Sequence, residues 1–148
     1  PFPTELEDTT GEELRKTGME FGATTGRPRR CGWIDLVALK FACMINGVTK
    51  IVMTKADVLD AFGTLNVCTA YPVNGETTPD VPFKMTRQKT DPVLQSFEGW
   101  KTDTTSLKNY DNLPQKMKEY ILFINKFLGV KCAYISNGPG RDQLIENL

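Results

Sequence analysis

The chain contains no histidine among its 148 residues. Catalytic triads, general bases and metal sites that use histidine are therefore excluded within this sequence. The four cysteines lie far apart and form no C-x-x-C pair, so they do not predict a zinc site. Most of them stand in apolar runs, which is typical of buried thiols in a reducing compartment, and we expect a cytoplasmic protein.

Excess charge and long apolar runs are also missing. The 18 Lys and Arg residues balance 18 Asp and Glu residues, so no overall field favours nucleic acid or an anionic membrane. No apolar run reaches the ~20 residues that a membrane-spanning helix needs. We expect neither kind of partner, and any bound anion must be held by a local site. The chain begins with "PFPTEL" rather than Met, and we expect it to be a segment of a longer protein.

Capping residues and apolar periodicity predict three helices. A capping box that starts at Thr10 predicts the first over residues 11–20. Asp35 is a good N-cap for "LVALKFACMI", an almost wholly apolar helix that we expect to be buried on most of its surface. Asn112 and Gly129 bound the third helix. Its apolar positions at helical spacing are Met117, Ile121, Ile124 and Leu128.

Short apolar runs at 50–54, 66–73 and 130–136 predict strands, and Asn74-Gly75 predicts a hairpin turn. A helix-containing segment separates the first run from the last, so we expect them to be parallel neighbours in one sheet. A short helix is expected to close the chain. We find no internal repeat and expect no domain boundary.

A loop with several arginines precedes the apolar helix. This arginine loop, "GATTGRPRR" at residues 22–30, carries guanidinium groups that suit two-point binding of carboxylate or phosphate. Gly22 and Gly26 let the backbone approach a ligand closely. The loop enters a helix N-terminus, which has unpaired N–H groups and a partial positive charge. A solvated basic turn is the alternative interpretation.

Two polar turns follow the predicted parallel strands. The residues of these strand-end turns are 55–57, "KAD", and 136–138, "SNG". Ligands of parallel sheets bind beyond the carboxyl ends of the strands, so we expect both turns and the arginine loop at one edge. The Asp57 carboxylate can accept two hydrogen bonds from guanine, and adenine offers no such pair of donors. A surface ion pair and an ordinary turn are the alternatives.

Taken together, these stretches resemble the adenylosuccinate synthetase family. The matching strings, in the family's order and spacing, are "PFPTEL", "EFGATTGRPRRCGWIDLVAL", "TKADVLD", "GWKTDTT", "YILFINKFLGVKCAYIS" and "SNGPGRDQ". The resemblance covers essentially the whole chain. It implies an α/β fold in which residues 1–148 form a single C-terminal segment. That segment belongs to a larger mixed, mostly parallel sheet flanked by helices, whose ligand edge is like that of P-loop NTPases although the P-loop is absent.

The resemblance also implies an activity, which is the GTP-dependent ligation of IMP and L-aspartate to adenylosuccinate in AMP biosynthesis. The family's phosphate loop, catalytic aspartate and histidine, and Mg²⁺ ligands come from the N-terminal part. We therefore expect no catalytic or metal-binding residue here, an inactive isolated chain, and a homodimeric intact enzyme. The alternatives are a non-catalytic module that binds guanine nucleotides, and a structural domain with coincidental loops.

Site residues carry over from the family's motifs position by position. The aspartate-binding residues are Ala23, Thr24, Thr25, Gly26, Arg27 and Arg29, with Arg27 also approaching IMP. The GTP-binding residues are Arg29, Lys55, Ala56, Asp57, Ser136, Asn137 and Gly138. Asn137 and Gly140 stand where the resemblance leads us to expect Thr and Asp. We expect Gly140 to make its loop more flexible and to loosen the guanine pocket.

Overall fold

A computed structural model describes residues 2–82 and 91–147 of the chain. The chain divides into two compact units. The first unit comprises residues 1–38 and 66–95, and the second comprises residues 39–65 and 96–148. No helix in the described parts is long and apolar enough to cross a membrane.

Helices and strands alternate along the described residues. The helices are α1 (Thr9–Thr17), α2 (Leu36–Ile45) and α3 (Gln115–Leu128). The strands are β1 (Ile34–Asp35), β2 (Lys50–Met53), β3 (Thr64–Val73), β4 (Glu76–Thr78), β5 (Val93–Glu98), β6 (Lys131–Ser136) and β7 (Leu144–Glu146). Short 3₁₀ turns cover Ala56–Leu59 and Tyr110–Asn112.

The first unit is built on a small mixed sheet in the order β1-β3-β4, and β5 also pairs with β3. β1 runs parallel to β3, whereas β3 and β4 form an antiparallel hairpin. Asn74 and Gly75 at its tip both have positive φ, 52° and 87°, as a two-residue type I′ turn requires. The predicted hairpin at these two residues is confirmed.

The second unit holds a separate sheet in the order β2-β6-β7. β2 is parallel to β6, as the sequence predicts, and β7 is antiparallel to β6. Helix α3 packs on β6, and Gly129 ends the helix with a φ of 68°. The predicted apolar positions of α3 are all buried. The buried apolar residues of α3, β6 and β7 are Met117, Tyr120, Ile121, Ile124, Leu128, Cys132, Ala133, Ile135 and Ile145.

The predicted mixed α/β fold is confirmed, whereas the larger, mostly parallel sheet of the intact protein stays a prediction. The described strands form two small sheets, and each contains both parallel and antiparallel pairs. The expected closing helix is wrong, because β7 occupies that position. Ile145 of β7 is fully buried opposite Ile135 of β6, and it is the single buried residue of this three-residue strand.

Three helix predictions also need correction. Asn112 ends a 3₁₀ turn and does not cap α3, which begins after Pro114 without a side-chain cap. The cap of α1 is Asp8, whose Oδ1 accepts the Gly11 N–H at 3.0 Å, so the helix begins before the predicted Thr10 box. Helix α2 begins after Asp35 as predicted but is not buried on most of its surface. Three of its apolar side chains are exposed, namely Phe41 at 44%, Met44 at 69% and Ile45 at 62%.

Candidate functional site

The arginine loop of the first unit is closed by its own backbone. The Gly22 N–H donates to the Arg27 carbonyl at 2.9 Å, and the Gly26 N–H donates to the Gly22 carbonyl at 2.8 Å. Gly26 has a φ of 64°, which a residue with a side chain adopts only at a cost. Below this turn the Arg29 N–H donates to the Glu20 carbonyl at 2.9 Å. The loop therefore has a defined backbone while its threonine and arginine side chains are exposed.

The three arginines of this loop differ in their partners. Arg29 Nη1 lies 3.1 Å from Glu20 Oε2, and Arg30 Nη1 lies 3.8 Å from Glu5 Oε2. The Arg27 guanidinium makes no ion pair or hydrogen bond within residues 2–82 and 91–147. A cavity of ≈ 600 Å³ opens on this face, and its lining residues are Phe2, Arg27, Pro28, Arg29 and Arg30. Such a surface suits a small molecule with carboxylate groups.

Asp35 fixes the start of α2 a few residues after the loop. Its Oδ1 accepts the Ala38 N–H at 3.0 Å, which confirms the predicted cap. The hydroxyl of fully buried Tyr71 donates to Oδ2 of the same carboxylate. Burial first, and then the neighbouring Asp35 carboxylate, raise the pKa of Tyr71. The tyrosine therefore stays a neutral donor and holds the cap in place.

In the second unit, the strand-end turns leave the sheet at the same edge. Met53, the last residue of β2, is in register with Ile135 of β6, one residue before that strand ends. Lys55 then takes up a left-handed conformation with a φ of 57° and leads into the 3₁₀ turn Ala56–Leu59. This turn contacts β6. The juxtaposition that the parallel pairing predicts is thus present within this unit.

The carboxylate of the first strand-end turn has an unused acceptor. Oδ1 of Asp57 is buried, and no donor within the described residues reaches it. Buried polar atoms are usually paired, since a buried acceptor without a partner is costly. Asp57 therefore carries the acceptor that a ligand with N–H groups would need.

Asp60, three residues further on, is by contrast fully engaged. Its carboxylate accepts hydrogen bonds from Trp100 Nε1 at 2.6 Å and from the Thr104 N–H at 2.7 Å. The Thr104 hydroxyl donates to it as well. Desolvation is the main cause that raises the pKa of Asp60, and the nearby charge of Asp57 adds to it. Asp60 therefore anchors the segment of residues 100–107, which we call the brace.

The second strand-end turn is also tied to the brace. Asn137 is fully buried, and its Nδ2 donates to the carbonyls of Thr104 and of Leu107, the latter at 3.0 Å. Gln143 Nε2 donates to the Thr105 carbonyl at 3.0 Å, while its Oε1 accepts the Gly140 N–H at 2.8 Å. The loop after β6 is therefore held by side-chain amides from two directions.

Gly138 and Gly140 are packed closely against the same Gln143 side chain. A Cβ at Gly138 would lie 2.3 Å from the Gln143 amide, and one at Gly140 would lie 2.7 Å from Asp142 Oδ1. Gly140 also donates its N–H to Gln143. Gly140 is therefore hydrogen-bonded and sterically enclosed, which does not support the expectation that it makes its loop more flexible.

These sites lie in a chain whose relatives are recognisable over its full length. The family model for adenylosuccinate synthetase matches residues 1–145. The chain belongs to the adenylosuccinate synthetase family. An adenylosuccinate synthetase of Cytophaga hutchinsonii is 51% identical over 146 residues, which are 98% of this chain and 34% of that protein. One of Azobacteroides pseudotrichonymphae is 50% identical over 145 residues, with the same coverage of both chains.

The fold of this family member agrees with a solved relative. The structure of fully ligated adenylosuccinate synthetase from Plasmodium falciparum superposes with a TM-score of 0.92 at 36% identity. The match covers 100% of this chain and 36% of that one. The chain thus spans about a third of the length of the curated relatives that it matches, where the covered share is 34%.

The family's predicted site residues fall into both units. Ala23, Thr24, Thr25, Gly26, Arg27 and Arg29 lie in the first unit, and Lys55, Ala56, Asp57, Ser136, Asn137 and Gly138 lie in the second. The ligands assigned to these residues stay predictions, and so does the meeting of the arginine loop with the strand-end turns.

Sequence reasoning missed Glu20, Asp60 and Thr104, although the "GWKTDTT" string marked the segment that contains Thr104. Within the described residues no cluster of three or more acidic or cysteine side chains can hold a metal ion.

Proposed function

We propose that this chain is the C-terminal portion of an adenylosuccinate synthetase. The intact enzyme would use GTP to phosphorylate the 6-oxygen of IMP, and the aspartate amine would then displace that phosphate. The family match over residues 1–145 carries the proposal, because it extends over both units and includes every motif of the site. The contribution of this segment is to position substrates, which by itself lowers the barrier of a reaction between bound partners.

In this proposal the arginine loop binds L-aspartate. Arg27 is supported as a carboxylate ligand because its guanidinium is exposed and has no partner among the described residues. Arg29 has five N–H donors, of which Glu20 occupies one, so that it can bind a second carboxylate without losing this contact. Gly26 together with the residues 23–25 would supply backbone N–H and hydroxyl donors. Arg27 would also approach IMP, and Arg29 would reach the GTP side.

The strand-end turns would bind the guanine of GTP. Guanine presents the N1–H and the 2-amino group side by side, and Asp57 offers a buried oxygen that no described donor occupies. The stem of Lys55 would lie along the base. Ala56 and residues 136–138 would contact the base mainly through their backbone, since the Nδ2 of Asn137 is already engaged by two carbonyls. The buried, unpaired oxygen of Asp57 supports this assignment to the guanine nucleotide that the family implies.

The rest of the intact enzyme would supply the chemistry. The phosphate loop, the catalytic aspartate and histidine, and the ligands of Mg²⁺ are expected outside this segment, so the isolated chain would be inactive. The exposed apolar face of α2 supports a missing covering layer, because Phe41, Met44 and Ile45 are unusually exposed for an apolar helix. In the intact enzyme we expect a larger, mostly parallel sheet and a homodimer, in the cytoplasm.

A chimera tests the proposed function directly. This chain replaces the matching third of the Cytophaga hutchinsonii relative, with which it is 51% identical. We expect the purified chimera to form adenylosuccinate from IMP, aspartate and GTP. The relative without its matching third, and this chain alone, are the controls and should be inactive. A folded chimera that binds IMP but forms no product with any nucleotide would overturn the proposal.

The alternative function is a module that binds guanine nucleotides without turnover. The orphaned oxygen of Asp57 favours it independently of the missing parts. Calorimetric titration of this chain with GDP and with ADP separates the two. Submillimolar binding that is selective for GDP favours the module. We expect weak or no binding, because the phosphates would lack their loop.

A further inference from the structure

The two strand-end turns are joined by a continuous path of hydrogen bonds through the brace. Asp60 belongs to the segment that starts with the first turn, and its N–H donates to the Asp57 carbonyl at 3.1 Å. Its carboxylate accepts from the backbone N–H and the hydroxyl of Thr104. The carbonyl of Thr104 in turn accepts from Asn137 in the second turn. Each link joins groups of the second unit.

Thr104 stands at the centre of this path and is fully buried, as is Asn137. Water therefore cannot replace a lost bond at either residue without a rearrangement, and a buried group that loses its partner pays the full desolvation cost. Trp100 donates to the same Asp60 carboxylate, and its ring lies 6.1 Å from that of Tyr120 in α3. The brace is thus fixed at its first residue by the core of the unit.

The side-chain Nδ2 of Asn137 faces the brace, while its buried Oδ1 has no partner within the described residues. Its Nδ2 donates to two brace carbonyls, and its backbone N–H donates to the Gln143 carbonyl at 3.1 Å. A threonine, which the family resemblance leads us to expect at this position, has a single donor. The amide can therefore hold two carbonyls of the brace where a threonine can hold one.

We propose that Asn137 is a positioning residue that sets guanine selectivity by holding the brace, and through it Asp60, against the turn that carries Asp57. This inference rests on the proposed function, because it assigns the selectivity to the same pocket. It assigns no contact between the Asn137 side chain and the nucleotide. Loss of the amide would let the spacing of the two turns vary, so that Asp57 meets guanine in the right geometry less often.

The first test uses this chain alone and needs no ligand. In Asn137→Ala we expect the Thr104 amide to exchange its hydrogen about tenfold faster, because the carbonyl side of that residue is no longer held. The matched control is Asn125→Ala, which removes a different asparagine amide of the second unit, whose Oδ1 accepts the Cys132 N–H of β6 at 2.7 Å. The control should leave the exchange of Thr104 unchanged. Unchanged exchange in Asn137→Ala would overturn the inference and leave the proposed function untouched.

The second test uses the active chimera and compares GTP with ITP, which lacks the 2-amino group. For Asn137→Ala we expect the KM for GTP to rise about tenfold and the preference for GTP over ITP to fall, with the kcat and the KM for IMP nearly unchanged. Asn137→Thr should be intermediate, since one donor remains. A rise in all KM values together, or equal effects of Asn125→Ala, would mean a merely structural role and would reject the inference.

The variant Asp57→Asn distinguishes a failure of the inference about Asn137 from a failure of the proposed guanine site. If this variant loses the preference for GTP while Asn137→Ala keeps it, the inference fails and the proposed function stands. If neither variant alters the preference, the guanine assignment itself fails.

Discussion

The arginine loop and the strand-end turns differ in how far their functional side chains are exposed to solvent. In the loop the backbone is fixed but the functional side chains are exposed, and the ion pair of Arg29 with Glu20 leaves the arginine side chain 59% exposed. In the turns, Oδ1 of Asp57 and the side chain of Asn137 are buried, and the hydrogen bonds of Asp60 are partly buried. Exposed charges adjust at little cost, whereas buried ones must be satisfied in one geometry. This contrast is consistent with the proposed roles, in which exposed side chains adjust to a small flexible substrate and buried groups recognise a rigid base.

The largest effect is expected at the strand-end turn that we propose to bind the guanine base. Asp57→Asn in the active chimera should lower kcat/KM for GTP about a hundredfold, because a buried charged acceptor is lost and an amide donor faces the guanine donors. The measurement is steady-state kinetics with GTP and with ITP. An effect on aspartate instead of on the nucleotide would break the comparison between the two regions.

A slightly smaller effect is expected in the loop. Arg29→Leu should raise the KM for aspartate about thirtyfold, since one charge-assisted carboxylate contact is lost while the backbone of the loop is kept by its own hydrogen bonds. Arg30→Leu is the matched control, because Arg30 is paired with Glu5 and lies outside the predicted aspartate site. An unchanged aspartate KM in Arg29→Leu would remove the aspartate assignment.

Alanine substitutions at one glycine of each region test how tightly the two regions are packed, through the change in the free energy of unfolding. Gly138→Ala should lower the free energy of unfolding by about 2 kcal/mol, because the Gln143 amide must move away and give up its two hydrogen bonds. Gly26→Ala has open space around the new methyl group and should cost only about 1 kcal/mol, from its positive φ. Urea unfolding of the chain measures both. Equal losses would show that the turn is no more tightly packed than the loop.

The smallest effect is expected from Glu20, and it tests whether this residue competes with the substrate for Arg29. Glu20→Gln removes the charge that is paired with Arg29, and it should lower the KM for aspartate about twofold to threefold, because exposed ion pairs are worth ~0–1 kcal/mol. Glu12→Gln removes a surface ion pair with Lys16 and serves as the control. A rise in KM on Glu20→Gln would mean that Glu20 orients Arg29 for the substrate instead of competing with it.

Local signals in the sequence were sufficient for several elements. Asp35 caps α2, Asn74-Gly75 turns the hairpin, and Gly129 ends α3, because each depends on a side chain or φ value that the residue itself supplies. The parallel pairing of β2 with β6 also followed, since a helix-containing connection favours it. Asp8 was missed as the cap of α1 because Thr10 offered an equally plausible capping box.

Pairings between distant segments were not predictable in the same way. The strand β7 has only one buried residue, Ile145, and its sequence is as compatible with a helix as with a strand. The exposure of α2 depends on what covers it and not on its own composition. The bonds of Asp60 to Trp100 and Thr104 join residues 40 and 44 positions apart, for which a single sequence carries no local signal.

The sequence by itself determined the family, the position of the arginine loop before a capped helix, and the order of the two strand-end turns. These features depend on residue type and on short-range spacing. Only the tertiary structure decided which charges are already paired and which remain available. Glu20 holds Arg29 while Arg27 has no described partner, and Asp60 is saturated while one oxygen of Asp57 is not. The physical reason is that partners and burial come from segments far apart in the chain, and the same residue type differs in its chemistry according to them.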